Sequence, residues 1–155
     1  MSFKNYNFIL LAGGQSTRFG KNVNKTTINF RDKPLILNII DKLIFIGFTN
    51  ITVVYSKNNK NYFKEYVKKC KLIKGGETRS LSVKNAIKNS KSKFTIVHDL
   101  ARPLLNEKTI LDIIKNLKIG YSCVIPYSDA VDTVLLNNKN IDRKKVKLIK
   151  TPQGF

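Results

Sequence analysis

The chain is poor in acid and in metal ligands. Its 155 residues carry 10 aspartates and glutamates against 29 lysines and arginines, with one histidine, two cysteines and four prolines. His98, Cys70 and Cys123 form no metal-ligand spacing, which argues against a zinc centre. The cysteines allow one disulfide; in a cytoplasmic protein two buried thiols are the preferred reading. No apolar run approaches the roughly 20 residues of a membrane span. The segment before the first apolar run, residues 1–6, is too short and polar for a signal peptide, which points to the cytoplasm.

The shortage of acid leaves a formal net charge of +19. Such a surplus suits nucleic acid, but its distribution does not. Lys57, Lys60, Lys64, Lys68, Lys69 and Lys71 are scattered, and neither end carries a basic arm. The 24 lysines, 17 asparagines and 18 isoleucines fit drift toward A/T-rich codons better. No nucleic-acid or membrane partner is expected, while small anionic substrates remain favoured by the field. Arginine is scarce as well: Arg18, Arg31, Arg79, Arg102 and Arg143 are all there are. In a chain that uses lysine wherever a cation will do, each is a candidate for a task needing the planar guanidinium fork.

What is present is an alternation of short β-like and longer helix-like apolar patterns. Strands are expected at Tyr6–Ala12, Asn50–Tyr55, Lys71–Lys74, Phe94–His98 and Ser122–Tyr127. Helices are expected from Pro34 to about Ile46, over Asn59–Cys70 and Ser80–Ser90, and from the cap Asn106 to about Ile119. In the second of these, Tyr62, Phe63, Tyr66 and Val67 share one face. Gly47 and Gly120 stop the first and last helices. Val131–Leu136 and Lys145–Lys150 are expected to pair around the polar turn 137–140. The fold class is therefore α/β, a mostly parallel sheet with helices on both faces and a late β-arm around 129–150, in one domain over 1–155. In such sheets ligands sit at the carboxyl ends of strands, and one rim would collect Gly13-Gly14, Gly75-Gly76 and Asp99.

Three motifs carry chemistry. Leu11-Ala12-Gly13-Gly14-Gln15-Ser16-Thr17-Arg18-Phe19-Gly20 follows the first strand, and glycines there let backbone N–H groups approach a phosphate. It is neither a Walker loop nor a full dinucleotide fingerprint. Arg18 at its end and Lys25 beyond it suggest two cations on a nucleoside triphosphate. Gly75-Gly76-Glu77-Thr78-Arg79-Ser80-Leu81-Ser82 opens a helix, whose N-terminus attracts anions; Ser82 is a donor for ribose, base or phosphate, and Ser80 a candidate cap. His98-Asp99-Leu100-Ala101-Arg102-Pro103 ends a buried-looking strand. Asp99 is placed to hold Mg²⁺ on triphosphate oxygens, Arg102 to pair with it or bind a substrate phosphate, and His98 reads as structural. Thr133 and Arg143 flank the late turn and are candidates for a second anionic substrate.

Together and in order, Leu-Ala-Gly-Gly-x-x-Thr-Arg, Lys25, Gly-Gly-x-x-Arg-x-x-Ser-Val, His-Asp-x-Ala-Arg-Pro, Asp-Thr-Val, Asp-Arg and Thr-Pro-Gln-Gly-Phe resemble the 2-C-methyl-D-erythritol 4-phosphate cytidylyltransferase family over essentially the whole chain. The ribitol-5-phosphate cytidylyltransferases are close relatives. The resemblance implies a Rossmann-like nucleotidyltransferase fold. It implies transfer of CMP from CTP to methylerythritol 4-phosphate with release of pyrophosphate, and a divalent cation, Mg²⁺, as cofactor. It implies that Arg18 and Lys25 steady transition-state charge, that Ala12, Gly13 and Gly14 cradle the nucleotide, and that Gly76 and Ser82 select cytosine and ribose. Asp99 would hold the metal and border both substrates, with Arg102, Thr133 and Arg143 facing methylerythritol phosphate. The late arm would exchange across a homodimer, bringing Arg143 to the neighbour's site. Three positions depart from the pattern: Ser16 for glycine, Asn24 for the proline before the lysine, and Leu100 for alanine. The family continues beyond Thr-Pro-Gln-x-Phe, so the chain is expected to lack the C-terminal part of the family domain. The alternatives are a ribitol-5-phosphate enzyme and a shortened domain that binds CTP without turnover.

Overall fold

Alternation along Tyr6–Leu11 puts Phe8 and Leu10 on one face of a strand and Ile9 on the other, and all three are fully buried. A strand buried on both faces lies inside a sheet covered twice. In the computed structural model, which describes residues 2–14, 28–30, 32–66 and 70–155, it is the centre of such a sheet.

The strands of that sheet are β1 (Tyr6–Leu11), β4 (Asn50–Tyr55), β5 (Lys71–Lys74), β6 (Phe94–Asp99) and β11 (Gln153–Gly154). Their spatial order is β11-β6-β1-β4-β5. The pairs β1–β4, β1–β6 and β4–β5 are parallel; only β11 runs antiparallel, on β6. A minor hairpin, β2 (Asn29–Phe30) and β3 (Lys33–Pro34), leads into helix α1 (Leu35–Ile46).

One face of the sheet is covered by α1, by α4 (Glu107–Lys118) and by Phe63 of α2 (Lys60–Tyr66). Helix α1 buries Leu35, Ile36, Ile39, Ile40, Leu43 and Ile46, a stripe at helical spacing. Gly47 stops it at φ 112°, a left-handed conformation that glycine adopts without a Cβ clash. Asn106 caps α4 by accepting from the Thr109 N–H at 3.3 Å, and Ile110, Ile113, Ile114 and Leu117 face the core. The opposite face carries α3 (Arg79–Lys88), whose Ala86 and Val83 pack on Ile9, Val54 and Val97. Its cap is Thr78, not Ser80: Thr78 Oγ1 accepts from the Leu81 N–H at 3.1 Å. The expected two-sided α/β architecture is what the structure has. Among the described residues no helix is long and apolar enough to cross a membrane.

The later segments differ from expectation. Ser122–Tyr127 is not a sheet strand; Val124 alone bridges Gly154, and the regular strand is β7 (Tyr127–Asp129). Val131–Leu136 does not pair with Lys145–Lys150. Instead β8 (Val134–Leu136) turns back on β9 (Lys139–Ile141), while β10 (Lys147–Ile149) pairs with β7. The reason is local. Asn137 and Asn138 take φ 50° and 61°, which makes a two-residue turn and draws Lys139 and Asn140 into the returning strand. The thiols differ too: both are free, but Cys123 is exposed and only Cys70 is half-buried, its pKa raised by burial to about 11. Helix α2 is described over Lys60–Tyr66, with Asn59 in the turn before it and Cys70 in a bend, and residues 67–69, Val67 among them, lie outside the described residues.

Candidate active site

Parallel register sets the site. Leu11 is level with both Val54 and Asp99, and Tyr55 with Lys74, so β1, β4, β5 and β6 end on one rim. Ala12 and Gly13-Gly14 leave β1 there, Gly75-Gly76 leave β5, and Asp99 closes β6. The Ala12 N–H donates to the Val54 carbonyl at 2.9 Å, and the Gly75 N–H to the Tyr55 carbonyl at 2.8 Å. The rim that the sequence reading expected does collect them. Arg18 and Lys25 lie outside the described residues.

The two glycine turns are built differently. At Gly14 no described atom stands within 4 Å of a Cβ position. At Gly76 a Cβ would stand 2.5 Å from Leu81 Cβ at the start of α3, closer than carbons pack. The Gly76 N–H donates to Ser82 Oγ at 3.1 Å, so Ser82, one turn into α3, holds the turn that precedes the helix.

Asp99 sits between two guanidinium groups. Arg79 Nε donates to its Oδ1 at 3.2 Å, and Arg102 Nε lies 3.7 Å from its Oδ2. Arg79 also reaches Gln153 Oε1 at 3.4 Å, tying the second glycine turn to β11. Neither Arg79 nor Gln153 was assigned a role from the sequence. The signals in the sequence were the scarcity of arginine and the motif Gly-Gly-x-x-Arg for Arg79, and the motif Thr-Pro-Gln-Gly-Phe for Gln153.

His98 is 1% exposed and faces Phe8, ring centroids 6.4 Å apart. Its Nε2 pairs with the Arg102 carbonyl at 2.9 Å, which requires Nε2–H as donor, and it holds the turn that carries Arg102. Its Nδ1 is buried and has no hydrogen-bond partner among the described residues. Burial lowers its pKa below the ordinary 6.5, outweighing the bond to Arg102 and the charge of Asp99. The unfolded chain therefore takes up a proton below about pH 6.5 that the folded chain refuses. Stability is unaffected above that pH and falls as pH drops toward the folded pKa. Thermal melts from pH 7.5 to 5 are expected to show this loss, and His98→Gln to flatten it; parallel curves for the two proteins would contradict it.

Thr133 and Arg143 form a separate group on the arm. Both are exposed, and Arg143 donates to the Val131 carbonyl at 2.7 Å, two residues from Thr133. Asp142 caps the short turn that carries Arg143 by accepting from the Lys144 N–H at 3.1 Å.

A sequence model of the 2-C-methyl-D-erythritol 4-phosphate cytidylyltransferase family matches residues 7–155. The chain belongs to this family. Among its relatives is the bifunctional enzyme IspD/IspF of Pelagibacter ubique, 42% identical over 157 residues that span 96% of this chain and 42% of that protein. The corresponding enzyme of Campylobacter jejuni is 38% identical over 94% of this chain and 38% of its own length. The chain thus spans about two fifths of these curated relatives. The structure of the bifunctional IspDF from Campylobacter jejuni matches with a TM-score of 0.86 and 35% identity over 96% of this chain and 40% of that one. The 2-C-methyl-D-erythritol 4-phosphate cytidylyltransferase of Francisella tularensis matches with a TM-score of 0.74 and 27% identity, covering 97% of this chain and 72% of that one. The cytidylyltransferase fold is therefore shared along nearly all of residues 1–155.

Proposed function

We propose that the chain is the nucleotide-binding unit of a cytidylyltransferase that transfers CMP from CTP to 2-C-methyl-D-erythritol 4-phosphate. An oxygen of the sugar phosphate attacks the α-phosphorus in line, the bond to the β-phosphate breaks, and pyrophosphate leaves. The observation that carries this reading is the shared rim, where two glycine turns and a carboxylate between two arginines meet at the strand ends.

In this reading Ala12, Gly13 and Gly14 cradle the triphosphate. Support comes from the place of Ala12 and Gly13-Gly14 at the end of β1, where glycines let backbone donors approach a ligand without a side chain between. Gly76 and Ser82 shape the base and ribose pocket through the bond that joins them. Arg18 and Lys25 supply fixed positive charge where charge develops. Arg102, Thr133 and Arg143 bind the sugar phosphate. Thr133 and Arg143 lie on the arm, and a homodimer through the arm brings Arg143 to a neighbour's rim. Exposed Val131, Leu135, Leu136 and Ile149 favour that assembly, because a monomer would leave them in water.

Asp99 is the residue of the rim that suits a divalent cation. Among the described residues no group of three His, Cys, Asp or Glu could hold a metal by itself. Mg²⁺ nevertheless fits, since it takes one or two carboxylates and completes its shell with phosphate oxygens and water. When bound it draws charge from the phosphates. The same proposal places the enzyme in the cytoplasm, in non-mevalonate isoprenoid synthesis, with residues 1–155 acting as one nucleotidyltransferase unit.

The test is pyrophosphate release from CTP, Mg²⁺ and methylerythritol 4-phosphate by the purified chain, with Arg18→Ala as blank. Release that the blank lacks supports the reading. Faster release with ribitol 5-phosphate changes the acceptor, and CTP binding without release reduces the function to binding.

A further inference from the structure

We propose that Asn59 is a positioning residue for the nucleotide loop: it holds the peptide that joins Ala12 to Gly13 and so aims the Gly13 N–H. This rests on the nucleotide-binding reading above. Asn59 lies 47 residues from that peptide, in the short turn Lys57–Asn59 after β4, and is 3% exposed. Its Nδ2 donates to the Ala12 carbonyl at 2.8 Å, and its Oδ1 accepts from the Ser56 N–H at 2.8 Å. The Ala12 N–H is held separately by the Val54 carbonyl. Both polar groups of Ala12 are thus fixed by β4 and the turn that follows it, one residue after β1 ends.

The consequence follows from peptide geometry. In a planar trans peptide the C=O and the next N–H point in opposite directions. A carbonyl pinned toward Asn59 therefore turns the Gly13 N–H away from Asn59. Without the pin, the peptide beside a flexible glycine flips at little cost, and a donor is lost from the cradle. The loop also rests on this turn, since a Cβ at Gly13 would stand 3.4 Å from the Ser56 nitrogen. Only a side chain that donates on one side and accepts on the other makes both bonds. Aspartate keeps the bond to Ser56 and loses the one to Ala12. Leucine, of similar size and uncharged, loses both.

The experiment compares the wild-type chain with Asn59→Asp and Asn59→Leu. CTP–Mg²⁺ affinity is read by titration, and the order of the Gly13 amide by NMR relaxation, with the amides of α1 and α4 as folding controls. Both variants should bind CTP about tenfold or more weakly, with a lowered Gly13 order parameter and unchanged helices. An Asn59→Asp protein that behaves as wild type would confine Asn59 to capping its own turn and overturn the proposal. Loss in Asn59→Asp alone, with Asn59→Leu binding normally, would mark simple repulsion of the triphosphate and also overturn it. Should the wild-type chain not bind CTP, the nucleotide reading fails separately. The Gly13 amide then decides: unchanged order in both variants rejects the pin, and lowered order in both supports it.

Discussion

Asp99→Asn is expected to lower CMP transfer by about 10²–10³-fold, the usual consequence of losing one charged group that acts on the transition state. The substitution keeps the shape of the side chain and removes only its charge. Its partners, Arg79 at 3.2 Å and Arg102 at 3.7 Å, have half-exposed side chains, so the ion pairs contribute little to folding. Stability should therefore change by less than about 1 kcal/mol. The separation is the informative part: steady-state rates should collapse while the melting curve barely moves. If Asp99 holds the metal as proposed, loss should appear mainly in kcat with CTP saturating, because such a carboxylate would act on charge that grows in the transition state. Activity within twofold of wild type would remove Asp99 from the chemistry. A melting temperature that collapses with activity would make it a structural residue of the Arg79 and Gln153 junction.

Gly154→Ala is expected to destabilise the fold by about 2–3 kcal/mol through overpacking. A Cβ there would stand 2.3 Å from Ile113 Cγ2 and 2.9 Å from Leu117 Cδ1. Both residues belong to the buried face of α4, and the β-branched isoleucine methyl has little rotamer freedom to escape. The strand cannot shift either. Gly154 exchanges bonds with Val124 at 2.9 Å in both directions, and Phe155 does the same with Thr95 of β6 at 2.8 Å. For a chain of this size the cost corresponds to a fall of about 5–10 °C in melting temperature. Ile113→Ala should destabilise alone, yet adding Gly154→Ala to it should cost much less than in the wild-type background, since the blocking methyl is gone. Additive effects in that cycle would show that the contact is not the cause.

The sheet strands β1, β4, β5 and β6 were legible because each is a short apolar run with a turn signal after it, and local pattern suffices for that. Helices α1 and α4 were legible from the stripe and the stop at Gly47 and Gly120. The arm was read less well. Its strands are three residues long, largely exposed and polar at one end, so hydrophobic alternation gave no register. The decision lay in Asn137 and Asn138, whose left-handed backbone shortens the turn. Thr78, not Ser80, caps α3 because the helix starts at Arg79, which places the Thr78 hydroxyl, and not that of Ser80, before the first turn to accept from the Leu81 N–H.

Sequence by itself determined the α/β class, the alternation of strands and helices from β1 to α4, the glycine turns and the motif set that marks the family. These are properties of runs and spacings, and they survive without three-dimensional knowledge. Tertiary structure decided which residues meet. Asp99 lies between Arg79 and Arg102, Gln153 reaches Arg79 from 74 residues away, and Asn59 finds the Ala12 carbonyl across β4. The physical reason is that a parallel sheet brings strand ends together by register, whereas a hydrogen bond between distant side chains leaves no periodic trace in the chain.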